Sequence, residues 1–287
     1  MSRPRIGVAT CAAVPDLDED GAVLLAALSA AGADPRPAVW DDDAVDWAGF
    51  DGVLVRSTWD YPLRREEFLA WTRTCRRTVN PPDVLAWNTD KRYLDDLGRA
   101  GVPVVSTRLL PPGTPLAAPA GDYVVKPTVS GSAADTGRFA DPDDPAAAAL
   151  VARLHAQGRT AMVQPYLPSI EVEGETSVVF LAGECAVAVR RDPLLTDHGV
   201  RGPVVVADVL STIREVQLTE AQRRVAESAL DAVPGGRHRL SYARVDLVPG
   251  ATGPVVLELE ATDCFLFLTR ASPDARSRLA DHVLSQL

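Results

Sequence analysis

The chain has 287 residues, 46% of them hydrophobic and 24% charged, a composition that supports more than one compact folding unit. Its net charge is -10, from 39 acidic against 29 basic residues with no lysine- or arginine-rich block, which argues against nucleic acid as a main partner. No apolar run reaches the roughly 20 residues of a membrane span, and the opening MSRPRIGVATC turns polar before a signal core forms, so a cytoplasmic protein without membrane contact is expected.

In chain order, RIGVATC reads as a short apolar strand and the Ala/Leu-rich stretch from Gly21 to Gly32 as a helix, a first βα unit. PRPAVW and FDGVLVRST supply further strands, and REEFLAWTRTC a helix. This alternation predicts an α/β N-terminal domain on a parallel sheet over residues 1–87. NTDKRYLDDLGRAG predicts one helix capped by Asn88 or Thr89, followed by a Pro/Gly/Ala linker, together spanning 88–120. The character then changes. DYVVKP and TAMVQPYL read as strands of a small unit over 121–168, with VSGSAADTGRF as a small-residue loop and DPAAAALVARLHAQG as a helix between them. From 169 to 287, GETSVVFLAGECAVAVRR predicts a hairpin turning at Ala182-Gly183. A helix over TEAQRRVAESALDAV precedes LSYARVDLV and VVLELE, joined around PGATG. Antiparallel strands with intervening helices make this second half α+β. The four cysteines, Cys11, Cys75, Cys185 and Cys264, lie far apart without metal-binding or disulfide spacing.

Chemistry concentrates on that last strand pair. Strand side chains alternate, so Glu258 and Glu260 share one face, within about 7 Å by strand rise, where a buried strand would ordinarily carry apolar residues. In SYARVDLV the same alternation puts Arg244 and Asp246 on one face. Pairing Asp246 opposite Glu258 predicts that Val248 meets Val256 and that 249–255 form the loop. Three carboxylates then converge beside one arginine, an oxygen-only, highly charged set suited to Mg²⁺ or Mn²⁺; the alternative is a solvated sheet face laced with ion pairs. Lys91 and Lys126 are the only lysines among the 29 basic residues, so each marks a place where a compact ammonium group is wanted. Lys126 ends a strand just before the small-residue loop that contains Ser130, Gly131 and Ser132, whose backbone N–H groups suit phosphate. Lys91 is expected just inside a helix N-terminus. Arg56, Thr58, Trp59 and Asp60 follow the C-terminal end of a parallel strand, where open α/β sheets bind ligands, and are candidate substrate contacts.

The succession of Lys91, Lys126, the small-residue loop, QPYL, Arg190, Asp246, Glu258 and Glu260 resembles the ATP-grasp ligases over roughly Asn88 to Leu268. LVRSTWDY, WNTDKRYL, MVQPYLPS, GETSVVF and YARVDLV look most like the group containing the D-cycloserine-forming cyclo-ligase. The resemblance implies that Lys91 and Lys126 hold ATP phosphates, with Ser130, Gly131 and Ser132 over them. It implies an adenine hinge at Gln164, Pro165, Tyr166 and Leu167, and ribose contacts at Glu171 or Glu173. It further implies that Arg190 and Arg244 face the transferred phosphoryl group or the substrate carboxylate and that Asp246, Glu258 and Glu260 bind the metal. The N-terminal unit resembles the pre-ATP-grasp domain of these enzymes. Glu260 stands where many of them have Asn, the loop SGSAADTGRF lacks an arginine expected in the group, and VRRDP replaces a VRKGP-like stretch. The activity so implied is ATP-dependent coupling of an amino-acid-like carboxylate to an amine, with ADP and phosphate as products. The residues equally admit a phosphotransferase that stops at phosphoryl transfer or an ATP-binding regulatory module. The partners expected are small molecules, and the resemblance leaves room for a homodimer.

Overall fold

The computed structural model describes residues 3–131, 133–201 and 213–287. Three parallel strands open the chain: β1 (Arg5–Thr10), β2 (Asp34–Val39) and β3 (Gly52–Ser57), in the order β2-β1-β3. The helix α1 (Glu19–Ala30), whose first turn is capped by the Asp18 carboxylate, covers one face through Leu24 and Leu28. On that face Ile6, Val8 and Leu54 also meet Leu279, Ala280 and Val283 of the C-terminal helix α8, Pro273–Ser285. The opposite face packs Ala9, Val53 and Val55 against Phe68, Leu69 and Trp71 of α2, Arg65–Thr72. Burying both faces is what the continuous apolar runs of β1 and β3 require.

The stretch expected as one helix from Asn88 is two short ones, α3 (Pro82–Asn88) and α4 (Tyr93–Arg99). Asn88 ends α3 rather than capping a helix. Its amide donates to the Leu259 carbonyl, and its carbonyl accepts from the Ala261 amide and the Thr262 hydroxyl, so its polar side chain is spent on a distant strand end.

Two five-stranded antiparallel sheets follow. The smaller has the order β10-β6-β5-β7-β4, built from β4 (Arg108–Leu110), β5 (Tyr123–Pro127), β6 (Thr136–Phe139), β7 (Ala161–Pro165) and β10 (Gly199–Arg201), with α5 (Pro145–Ala156) packed on it. Thr136–Phe139 pairs with β5, so the expected loop is shorter by four residues; burial of Phe139 against Tyr123 accounts for the extra strand. Sheet membership also departs from the four-part division, since β4 and β10 lie in chain segments outside 121–168 yet join that unit's sheet.

The larger sheet runs β11-β9-β8-β12-β13, from β8 (Glu175–Leu181), β9 (Glu184–Arg191), β11 (Arg214–Glu215), β12 (Tyr242–Gly250) and β13 (Gly253–Glu260). The β8–β9 hairpin turns at Ala182-Gly183, both with positive φ, as the dipeptide implies. The short helix α6 (Ile170–Glu173) leads into β8, and the helix α7 (Glu220–Asp231) packs Ala226, Ala229 and Leu230 against the apolar face of β12 and β13. The other face carries the charged side chains.

Candidate active site

Asp246 lies opposite Glu258 and Arg244 opposite Glu260, as alternation alone requires. A bulge after Asp246 shifts the rest of the pairing by one residue, so Val248 meets Val255 rather than Val256, and the ladder continues to Gly250 and Gly253. The bulge leaves the carboxylates in place. Oxygen atoms of Asp246, Glu258 and Glu260 all lie within 4.8 Å of one another.

Each anion of this cluster is met by a cation. Lys91 Nζ lies 3.0 Å from Glu258 Oε1, and Arg244 Nη2 2.8 Å from Glu260 Oε1. Arg244 Nε donates to Asp246 Oδ1 at 2.9 Å, Arg191 Nη2 lies 3.0 Å from Asp246 Oδ2, and Ser177 Oγ donates to Asp246 Oδ1 at 2.6 Å. Burial opposes ionisation of Asp246, yet Arg244 and Arg191 outweigh it and hold the carboxyl down at about 2. Glu258 is likewise held below its ordinary value against burial, by Lys91 and Lys126. Glu260 goes the other way: burial pushes it up to about 8, with Glu258 and Asp246 adding to the rise against Arg244. Burial and the crowding of like charges thus keep Glu260 largely protonated at neutral pH despite its cation, and the donors of the cluster are all oxygen, the chemistry of a site for a hard dication.

Lys126 reaches the same cavity from the smaller sheet, where burial lowers its ammonium to about 8. The loop that follows β5 contributes Ser130, Gly131 and Ala133 to the wall. Asp135 anchors it to α5 through Arg153 (2.9 Å) and beyond α5 through Arg159 (2.7 Å), and Lys91 Nζ donates to the Ser130 carbonyl at 2.8 Å. Lys91 itself lies in the turn before α4, not inside a helix N-terminus. Ser132 lies outside the described residues.

The cavity is about 280 Å³, set between the two antiparallel sheets. Beyond the charged end it is lined by Val105, Val124, Leu167, Ile170, Val248 and Leu257, an apolar slot fit for a planar ring. Gln164, Pro165, Tyr166 and Leu167 all line it. The Arg138 guanidinium stacks 3.5 Å from the Tyr166 ring centroid and donates to the carbonyls of Leu195 and Thr196, which fixes this wall.

Several candidates stand elsewhere. Arg190 faces away from the carboxylates, since Arg191 is the residue paired opposite Glu175 and bonded to it. Gly174, at φ +72°, makes that approach feasible, because a Cβ there would come within 2.6 Å of the Arg191 carbonyl oxygen. Glu171 binds Arg138 and the Tyr166 hydroxyl and Glu173 is exposed; neither lines the cavity. Arg56 is 1% exposed and committed to Asp18, Asp20 and the Cys264 carbonyl. Thr58 is buried, and Asp60 holds the Trp40 indole and Arg64. Of the four substrate candidates only Trp59 reaches the cavity wall. The residues not anticipated are Glu175, Ser177, Arg191 and Asp263. Glu175 and Ser177 had a signal, two polar residues in alternation opening an apolar strand; Arg191 differs from Arg190 only in parity.

This geometry carries a direct comparison. Arg191→Ala removes a partner of the buried Asp246 and Glu175 and is expected to cost activity more than about a hundredfold, whereas Arg190→Ala is expected to stay within about threefold of wild type. Steady-state kinetics on the pair checks the assignment, and the reverse order of effects would restore Arg190.

Two antiparallel sheets closing on a cleft that joins an apolar slot, two lysines and a carboxylate trio, behind a small parallel-sheet domain, define the architecture of the ATP-grasp ligases. Comparison with known proteins agrees. The family model for the N-terminal domain of D-cycloserine synthetase DcsG matches residues 6–80. The cycloserine biosynthesis protein DcsG of Streptomyces lavendulae is 34% identical over 94% of this chain and 95% of its own. The crystal structure of D-cycloserine synthetase DcsG superposes with a TM-score of 0.89 at 33% identity, covering 98% of this chain and 99% of that one. D-alanine–D-alanine ligase from Bacillus anthracis, complexed with ATP, shares the fold at a TM-score of 0.66 and 14% identity, over 98% and 96% of the two chains. The chain belongs to the ATP-grasp ligase family of D-cycloserine synthetase DcsG, and is an enzyme of the class that forms C–N bonds.

Proposed function

We propose that the cleft binds ATP with Mg²⁺ or Mn²⁺, activates the carboxylate of an amino-acid-like substrate as an acyl phosphate, and joins it to an amine of the same or a second molecule, releasing ADP and phosphate. One observation carries the reading: a single cavity joins an apolar slot, a lysine without an ion-pair partner among the described residues, and three carboxylates whose oxygens lie within 4.8 Å of one another. The slot takes the adenine among Val105, Val124, Val248 and Leu257, with Gln164 to Leu167 also lining it. Lys126 and Lys91 hold the phosphates, and Ser130 and Gly131 close over them. Asp246, Glu258 and Glu260 hold the metal. A hard dication there neutralises charge on the phosphoryl group in transfer.

Arg244, buried, and Arg191, held by Glu175 and Asp246, supply fixed positive charge where that phosphoryl group passes to the substrate carboxylate. No nucleophilic side chain is required, because the substrate's own carboxylate attacks the phosphate and an amine, of the same or a second molecule, attacks the acyl carbon and displaces phosphate. Membership among ligases removes the regulatory-module reading. The test is incubation with Mg-ATP, hydroxylamine and a panel of D- and L-amino acids, scored for ADP and for the hydroxamate that captures an acyl phosphate. Amino-acid-dependent ADP with hydroxamate is expected. ADP without hydroxamate would convert the reading to a phosphotransferase, and AMP would overturn the acyl phosphate.

A further inference from the structure

The cavity wall holds five carboxylates and four cations, and their pairing leaves two residues over. Lys91 is matched to Glu258, Arg244 to Asp246 and Glu260, and Arg191 to Glu175 and Asp246. Among the described residues, the charged groups of the wall with no ion pair and no hydrogen bond to another residue are Lys126 and Asp263, whose carboxylate meets only its own backbone amide. Lys126 is accounted for by phosphate. Asp263 stands outside the metal-type cluster and shares the cavity wall with Trp59, Phe265 and Phe267, aromatic faces that suit a cation.

The backbone around Asp263 is fixed on both sides. The Tyr242 hydroxyl donates to the Thr262 carbonyl (2.8 Å), Arg56 to the Cys264 carbonyl, and Arg244 to the Phe265 carbonyl (3.2 Å), while the Leu266 amide donates to Asp20 (3.0 Å). Tyr242, Arg56 and Asp20 are all buried. Four neighbouring backbone groups are thus held by side chains from β12, β3 and α1, and the one side chain left without a partner is an acid facing the cavity. Burial holds the Asp263 carboxyl up at about 7, so it is ionised only in part until a cation is seated against it.

We infer that Asp263 receives the ammonium group of the amino-acid substrate and so selects amino acids over the corresponding hydroxy acids. The assignment rests on the ligase reading above and adds to it the residue that reads the amine. The cation–carboxylate bond is worth about 1.5–3 kcal/mol, a factor of roughly 10 to 150 in kcat/KM.

Serine against glycerate and alanine against lactate, in both configurations, are the probes, each with Mg-ATP and hydroxylamine as the trap. The wild type is expected to prefer at least one amino acid over its hydroxy acid by about tenfold or more. Asp263→Asn is expected to erase that preference by raising KM for the amino acid, with KM for ATP and the rate with the hydroxy acid unchanged, and Asp263→Glu to recover part of it. Unchanged stabilisation of Asp263→Asn by Mg-ATP in a melting experiment shows that the variant is folded. An intact preference in Asp263→Asn, or an equal loss toward both members of a pair, overturns the assignment and leaves the ligase reading standing. Inactivity of the wild type with these pairs and with every amino acid of the panel overturns the ligase reading and this assignment with it.

Discussion

Glu258→Gln is expected to lower turnover by more than about a hundredfold and to uncouple the protein from Mg-ATP. The substitution keeps shape and removes one anion of the trio, the one whose charge Lys91 and Lys126 favour. Loss of a partner to a metal ligand typically costs 10–100-fold, and loss of the ligand itself more. The effect on the unliganded protein has a definite sign. A carboxyl held below its ordinary value contributes stability that is present above the unfolded pKa and lost as pH falls through the folded one, so at neutral pH Glu258 stabilises the fold. Crowding of like charges alone would suggest that removing an anion raises the melting temperature. The 3.0 Å pair with Lys91 reverses that expectation, and the unliganded variant is expected to melt lower. Mg-ATP at a hundredfold excess over Kd should stabilise wild type by about 2.7 kcal/mol and the variant far less. Equal stabilisation of both would remove Glu258 from the metal site.

Lys126 gives the second large effect, through pH. Burial lowers its ammonium to about 8 in the unliganded protein, while phosphate needs it protonated. Nucleotide affinity is therefore expected to be flat below pH 8 and to fall by up to about tenfold per unit above it. Lys126→Arg, charged throughout that range, should flatten the profile, and Lys126→Ala should lower affinity severely at every pH. Calorimetric titration of ATP at fixed Mg²⁺ from pH 7 to pH 9.5 reads all three. A wild-type profile with no break near pH 8 would show that Lys126 does not meet phosphate.

Where local rules governed, the sequence was legible. Alternation in YARVDLV and VVLELE sets Asp246 opposite Glu258, and an apolar strand followed by small residues sets Lys126 at the cavity. Long-range competition hid the rest. Asn88 looks like a helix cap because its amide suits one, but β13 and the segment after it, over 160 residues away, claim that amide. Arg190 and Arg191 are chemically identical neighbours, and a register irregularity between Val179 and Phe180 makes counting from the hairpin unsafe. Arg56 reads as a ligand contact because it follows an apolar strand, yet its charge answers Asp18 and Asp20, which lie on and just before α1 and come near only in the folded chain. Asp263 gave no periodic signal, since it lies outside any strand or helix.

Turnover is expected to begin with activation of a carboxylate by the γ-phosphate of ATP. The most direct measurement uses the amino acid that stimulates ADP release, with both carboxylate oxygens labelled by ¹⁸O. One labelled oxygen should appear in inorganic phosphate and the other remain in the product carbonyl; label in AMP, or phosphate free of label, would contradict the acyl-phosphate mechanism.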